Sequence, residues 1–268
     1  MIGLRDLPWS ALPSGLVAQL RTRQARIALG STPKPLTIVH AYYENPRMLA
    51  RQIKNWRDMR ADNLSVIVVD DGSPEYPASS VLALIPELNL SLYRIEVDVR
   101  WNWLAARNLG MHKARDEWCL LLDMDHIVPP ETYRALAYGL HDPGTIYRFS
   151  RINSDASRLP PHRNIWFMTR DMFWKVGGYD EALSGYYGTD GEFLRRAAAT
   201  APLRLLEANL VRHEYFEDSS TTRYKRKQPE DATVRKLIAA RPRNWKPRAL
   251  SFPWRAVDLS PASFGSPN

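Results

Sequence analysis

The stretch Trp118-Cys119-Leu120-Leu121-Leu122-Asp123-Met124-Asp125 is five apolar residues running straight into a pair of carboxylates. An unbroken apolar run of this length suits a strand buried on both faces, as in a parallel sheet covered by helices. In an extended backbone residues two apart point to the same side, so Asp123 and Asp125 are expected to face one pocket while Met124 turns back to the core. Two carboxylates there suit Mg²⁺ or Mn²⁺, which leave positions free for phosphate oxygens and water. The same pair also suits a plain turn capping the helix expected over residues 130–140.

Upstream, Val66-Ile67-Val68-Val69-Asp70-Asp71-Gly72-Ser73 repeats the arrangement at the end of a second apolar run, where Gly72 and Ser73 allow a tight turn. Carboxylates accept hydrogen bonds from ribose hydroxyls or a base N–H, so this pair can hold a nucleoside while the other holds phosphates through a metal. Further strands are expected over residues 36–41, 90–95, 145–150 and 203–211, with a strand running into a short helix over 166–176. Helices are expected over 46–60, where Asn45 and Pro46 mark the start, and over 104–114 and 189–199. Such alternation gives an α/β domain with a mostly parallel sheet flanked by helices, which binds ligands beyond the carboxyl ends of its strands. Both acidic pairs stand at such ends.

The chain has 268 residues, 44% of them hydrophobic and 25% charged, enough for one large domain with extensions and too apolar for whole-chain disorder. Residues 1–35 read as an N-terminal helical extension, with a basic amphipathic helix over 14–29; 36–220 form the domain; 221–268 form a basic, Pro-rich tail with a short helix over 231–240. The tail holds 11 Lys and Arg against 3 Asp and Glu, which accounts for the whole net charge of +8. It reads either as a solvated end or as a surface for a phosphate-bearing partner. Cys119 alone cannot form an internal disulfide or a cysteine-based metal site. With neither a signal peptide nor a membrane span evident, the expected location is cytoplasmic.

Five short motifs occur in order: Val-Val-Asp-Asp-Gly-Ser at 68–73, Ala-Ala-Arg-Asn-Leu-Gly at 105–110, Leu-Leu-Asp-Met-Asp-His at 121–126, Gly-Gly-Tyr-Asp-Glu at 177–181, and Gly-Tyr-Tyr-Gly-Thr-Asp-Gly-Glu-Phe-Leu-Arg-Arg at 185–196. Together they resemble GT-A glycosyltransferases of the family 2 type, the last resembling the galactosyl- and N-acetylgalactosaminyltransferase branch with Thr189 where that branch usually has Glu. The resemblance covers roughly residues 36–215. It implies a metal-dependent enzyme that moves a sugar from a nucleotide-sugar donor, expected to be a UDP-sugar, to an acceptor hydroxyl with inversion. The acceptor is left open among glycan, lipid-linked and protein hydroxyls.

By that resemblance Asp70 and Asp71 contact the nucleoside, and Arg107 and Asn108 border the donor pocket. Asp123 and Asp125 hold the metal–diphosphate, with His213 as third ligand and His126 competing for that place. Asp190 is the base, with Glu192 in reserve; a helix cap satisfies Asp190 equally well. Tyr42 either stacks on the base or packs. Trp101, Trp103, Trp166 and Trp174 are expected to flank the pocket, and residues 153–164 are either a cover over it or a plain connection. The alternatives are a nucleotidyltransferase, which lacks its basic Gly-rich loop at residues 38–46, and a nucleic-acid-binding protein working through the tail, against which the neutral body speaks.

Overall fold

The computed structural model describes residues 24–25, 28–59, 63–82, 85, 88–153, 155–212, 230–242 and 244–260. In chain order the elements are β1 (Gln24–Ala25), β2 (Leu36–Tyr42), α1 (Pro46–Met59), β3 (Leu64–Asp70), α2 (Ser79–Leu82), β4 (Leu90–Ile95), α3 (Trp103–Lys113), β5 (Trp118–Leu122), β6 (His126–Ile127) and α4 (Pro130–Tyr138). They continue with β7 (Ile146–Asn153), β8 (Arg158–Leu159), β9 (Trp166–Thr169), α5 (Arg170–Val176), α6 (Asp190–Thr200), β10 (Leu203–Arg212), α7 (Glu230–Ala239) and β11 (Trp254–Val257).

The strands form one mixed sheet in the order β1-β10-β7-β9-β5-β2-β3-β4-β11, with β6 on β10 and β8 on β7. Parallel pairing joins β5, β2, β3 and β4 on one side and β7, β10 and β1 on the other, while β9 and β11 enter antiparallel. β2, β3 and β5 are buried almost throughout because helices cover both faces, which is why their sequences run apolar without alternation. On one face α1 lays Leu49, Ile53 and Trp56 against Ile38, Val66 and Leu120. On the other, α3, α5 and α6 lay Leu109, Phe173 and Phe193 against Val39, Leu121 and Trp166. Gly110 of α3 has no room for a side chain: a Cβ there would stand 2.3 Å from a methyl of Val39. This close approach seats α3 low on the sheet and aims its first turns at the strand ends. Among the described residues no helix is long and apolar enough to cross a membrane.

Two expectations are corrected here. The helix over 14–29 lies mostly outside the described residues, but its end is extended: β1 pairs with β10, and Leu29 bridges to Gly139. Its backbone groups are thus satisfied by the sheet edge and not by a helical turn. The segment read as a basic tail, either a solvated end or a surface for a phosphate-bearing partner, carries the expected helix as α7 and then joins the domain, where β11 pairs with β4 from Trp254 opposite Ile95 to Val257 opposite Leu92. A Trp-Arg-Ala-Val run beside prolines is a suitable edge strand, because an edge needs hydrogen bonds on one side only. Lys113 stands 3.9 Å over the ring of Trp254, which turns its edge toward Tyr93.

Candidate active site

Asp123 and Asp125 follow β5, but the backbone there turns and is not extended; the amide of His126 donates to the Asp123 carbonyl at 3.1 Å. The turn still brings both carboxylates to one place, and Met124 packs inward on the core with its carbonyl accepting from Gln52. Arg107, buried on α3, donates to Asp123 Oδ1 and stacks over Trp103. His162 Nδ1 stands 2.8 Å from Asp123 Oδ2. Burial alone would raise the Asp123 carboxyl, but the charges of Arg107 and His162 outweigh it and hold the group ionised far below the usual carboxylate range. Asp125 meets His126 Nδ1 at 2.6 Å and Arg212 Nε at 3.6 Å.

These carboxylates supply hard oxygen donors that suit Mg²⁺ or Mn²⁺, and with His126 their possible ligand atoms lie within 4.8 Å of one another. Asp125 is the looser of the two, since its contact with Arg212 is 3.6 Å long, whereas Arg107 and His162 close on both Asp123 oxygens. His126 does not suit a ligand role. It is fully buried, and its Nε2 lies 3.1 Å from Arg151 Nη1, which can only donate; Nε2 therefore accepts, Nδ1 carries the proton to Asp125, and no lone pair is left. His213 lies outside the described residues.

The other acidic pair has a different character. Asp70 spends its oxygens on its own loop: Oδ1 accepts from the amide of Ser73 and Oδ2 from that of Ala78, each at 2.8 Å. It is a turn-former. Asp71 is buried beside the amide of Asn102, whose hydrogen bond favours the charged carboxylate. Burial, then the charge of Asp70, pushes the Asp71 carboxyl well above its ordinary value. Gly72, at φ 78°, makes this turn possible; a Cβ would stand 2.4 Å from the Val97 carbonyl oxygen. Tyr42 packs and does not stack on a ligand: it is fully buried in the core, and its hydroxyl donates to the Tyr76 carbonyl at 2.6 Å.

Asn108 turns away from the carboxylates. Its amide donates to the Tyr179 carbonyl and to Glu181 and accepts from the Tyr179 amide, so all its capacity goes to the 177–181 loop. Glu192 is engaged likewise. Burial alone would raise its carboxyl, but hydrogen bonds and charge from Arg196 and Arg241 hold it below the ordinary range, in a closed ion-pair cluster that also includes Asp180. Asp190, at the start of α6, faces the site instead, accepting at 2.6 Å from Asn164 Nδ2, while the Asn164 carbonyl accepts from Arg107.

His162 and Asn164 escaped sequence reasoning, and the segment holding them is fastened to the sheet. Arg148 Nη2 donates to the carbonyls of Pro161 and His162, and Arg151 Nε to that of Pro160. Burial, then neighbouring arginines, lowers the Arg148 guanidinium to about 10. Of the four tryptophans, Trp166 is core, Trp103 packs on Tyr179, Trp174 packs on Phe173, and Trp101 pairs with Tyr187 at 5.0 Å.

The sequence profile described as "Glycosyl transferase family 2" matches residues 37–198, from β2 to α6. The chain belongs to that family. Solved glycosyltransferase structures agree on the fold. The chain is similar to S. aureus TarS 1–349 in complex with UDP-GlcNAc, with TM-score 0.60 and 16% identity over 76% of this chain and 65% of that one. It is also similar to the Pyrobaculum calidifontis mannosyltransferase PcManGT in complex with GDP-Man and Mn²⁺, with TM-score 0.57 and 15% identity over 84% of this chain and 75% of that one. The chain thus spans a little under two thirds of the TarS structure. No curated protein sequence matches it. The acidic clusters, Arg107 and Asp190 all lie within the residues matched to that family.

Proposed function

We propose that the chain transfers a sugar from a nucleotide-sugar donor, with a UDP-sugar favoured, to an acceptor hydroxyl, with inversion and with help from a divalent cation. The observation that carries this reading is the convergence on one spot of Asp123 and Asp125, Arg107 and Asp190, joined through Asn164. Asp123 and Asp125 would hold Mn²⁺ or Mg²⁺, which when bound stabilises the negative charge growing on a departing diphosphate. Arg107 keeps Asp123 ionised for that task. Asp71 and Asn102 would receive the nucleobase, whose N–H groups and carbonyls match a buried carboxyl and a buried amide. Asp190 takes the proton from the acceptor hydroxyl as its oxygen bonds to the anomeric carbon; the bond from that carbon to the phosphate oxygen breaks, and its electron pair leaves with the diphosphate. A cytoplasmic site of action is in keeping with a single, buried cysteine.

The test is release of nucleoside diphosphate from UDP-GlcNAc, GDP-Man and other sugar nucleotides, with Mn²⁺ and with EDTA. Turnover is expected for one donor class and only with the metal, and Asp190→Asn should slow it by about 10²–10⁴ with nucleotide affinity kept. No release from any donor overturns the reading. An Asp190→Asn variant with normal turnover removes Asp190 as the base.

A further inference from the structure

Asn164 comes two residues after His162 and is 7% exposed. Its backbone carbonyl serves Arg107, so its side chain is free for other work. The amide nitrogen donates to Asp190 Oδ1 at 2.6 Å, which settles the orientation of the amide, since its oxygen would repel the carboxylate. The amide oxygen Oδ1 is then left buried and without a hydrogen-bond partner among the described residues. It shares a carbon atom with the nitrogen on Asp190, so an O–H donated to Oδ1 lies beside the oxygen that is to take the acceptor's proton. Buried carbonyl oxygens rarely stay unpartnered, and in a site built around hydroxyl chemistry the matching donor is a hydroxyl.

We propose that Asn164 is a positioning residue that aims Asp190 with its N–H and receives a sugar hydroxyl at Oδ1, next to the hydroxyl that reacts. This rests on the glycosyl-transfer reading of the same site. The hydroxyl comes either from the donor sugar or from the acceptor, and the kinetics separate the two.

The experiment compares wild type, Asn164→Ala and the isosteric Asn164→Asp. Each is assayed on the sugar nucleotide that wild type turns over, with water as acceptor and with a panel of p-nitrophenyl monosaccharides; nucleoside diphosphate affinity and melting temperature are measured alongside. Both substitutions spare the backbone carbonyl that holds Arg107. Asn164→Ala should lower kcat about 10–100-fold, the usual consequence of a mis-aimed reacting group, with nucleotide affinity and melting temperature near wild type. Asn164→Asp should lose at least as much, because it sets a second carboxyl against Asp190 where a mere space-filler would be tolerated. A rise in donor KM assigns the hydroxyl to the donor sugar, and a rise confined to the acceptor KM assigns it to the acceptor. Variants with kcat and both KM values within about twofold of wild type overturn the proposal, as does a loss of rate that only tracks lost nucleotide binding and melting temperature. A wild-type chain that releases no diphosphate fails at the earlier step and brings down the reading on which this one rests.

Discussion

The two acidic strand ends look alike in sequence and behave oppositely in the fold. At the end of β5 the carboxylates face Arg107, His162, His126 and Arg212, and the most tightly held of them stays ionised despite its surroundings. At the end of β3 one carboxylate is consumed by backbone amides and the other is pushed toward its neutral form. One end is built for charge and the other for hydrogen bonding. The difference lies in the neighbours: α3 brings a buried guanidinium to Asp123, while the cation beside Asp70 is Arg94, at 3.6 Å and partly in solvent.

The contrast is most exposed to failure at Arg107. Arg107→Met leaves the Asp123 charge without its buried partner and should cost about 3–5 kcal/mol in urea unfolding, whereas Arg94→Met should cost under about 1 kcal/mol. Equal costs would erase the distinction. Next in size is Asp125→Ala, which should lower nucleotide affinity in Mn²⁺ by at least about 100-fold, as loss of a metal ligand does, and remove the difference between Mn²⁺ and EDTA. Affinity that still responds to Mn²⁺ would move the cation elsewhere.

His40 sharpens the comparison, since on β2 it lies in register with Val68 of β3 and Leu122 of β5, between the two ends. Burial, then the charge of Arg107, pushes its pKa down from 6.5 to about 3. The unfolded chain therefore binds a proton that the folded chain refuses between those values. Stability is whole above pH 6.5 and falls with acidification by up to about 1.4 kcal/mol per pH unit from this group, until about pH 3. His40→Gln should flatten that slope in unfolding measured from pH 7 to pH 4; an unchanged slope would show that the fold does not hold His40 neutral. The smallest effect belongs to Asp71→Asn. A group already pushed toward neutrality loses little as an amide, so nucleotide affinity should change by no more than about tenfold, the worth of one neutral hydrogen bond.

Much of this was legible in the sequence, because apolar runs and the residues ending them are local facts. The strands from 36 to 122 and both acidic pairs follow from them. What stayed hidden was which polar groups were already spoken for. Glu192 meets Arg241 across 49 residues and Asn108 meets Glu181 across 73, and no local pattern reports such pairing. His162 and Asn164 had only a loop rich in arginine, serine and proline to announce them. The tail misled for a physical reason: Arg241 looked free because the acids that pair with it, Asp180 and Glu192, lie far back in the chain.

The segment 241–257 also bears on the order in which the molecule is completed. Beyond Arg241, the backbone amides of Arg248, Leu250 and Ser251 donate to Asp180 and Glu181, and Glu181 in turn holds Asn108 beside Arg107. Joining β11 to β4 closes a loop of roughly 160 residues, whose entropic cost falls due before its contacts give anything back. The central strands can assemble from closer neighbours while the loop at 177–181 waits with its acids unpaired. Catalytic competence should therefore trail compaction during refolding: a nucleotide-binding signal emerges only after the sheet has formed, when the last strand docks and locks α3 in place.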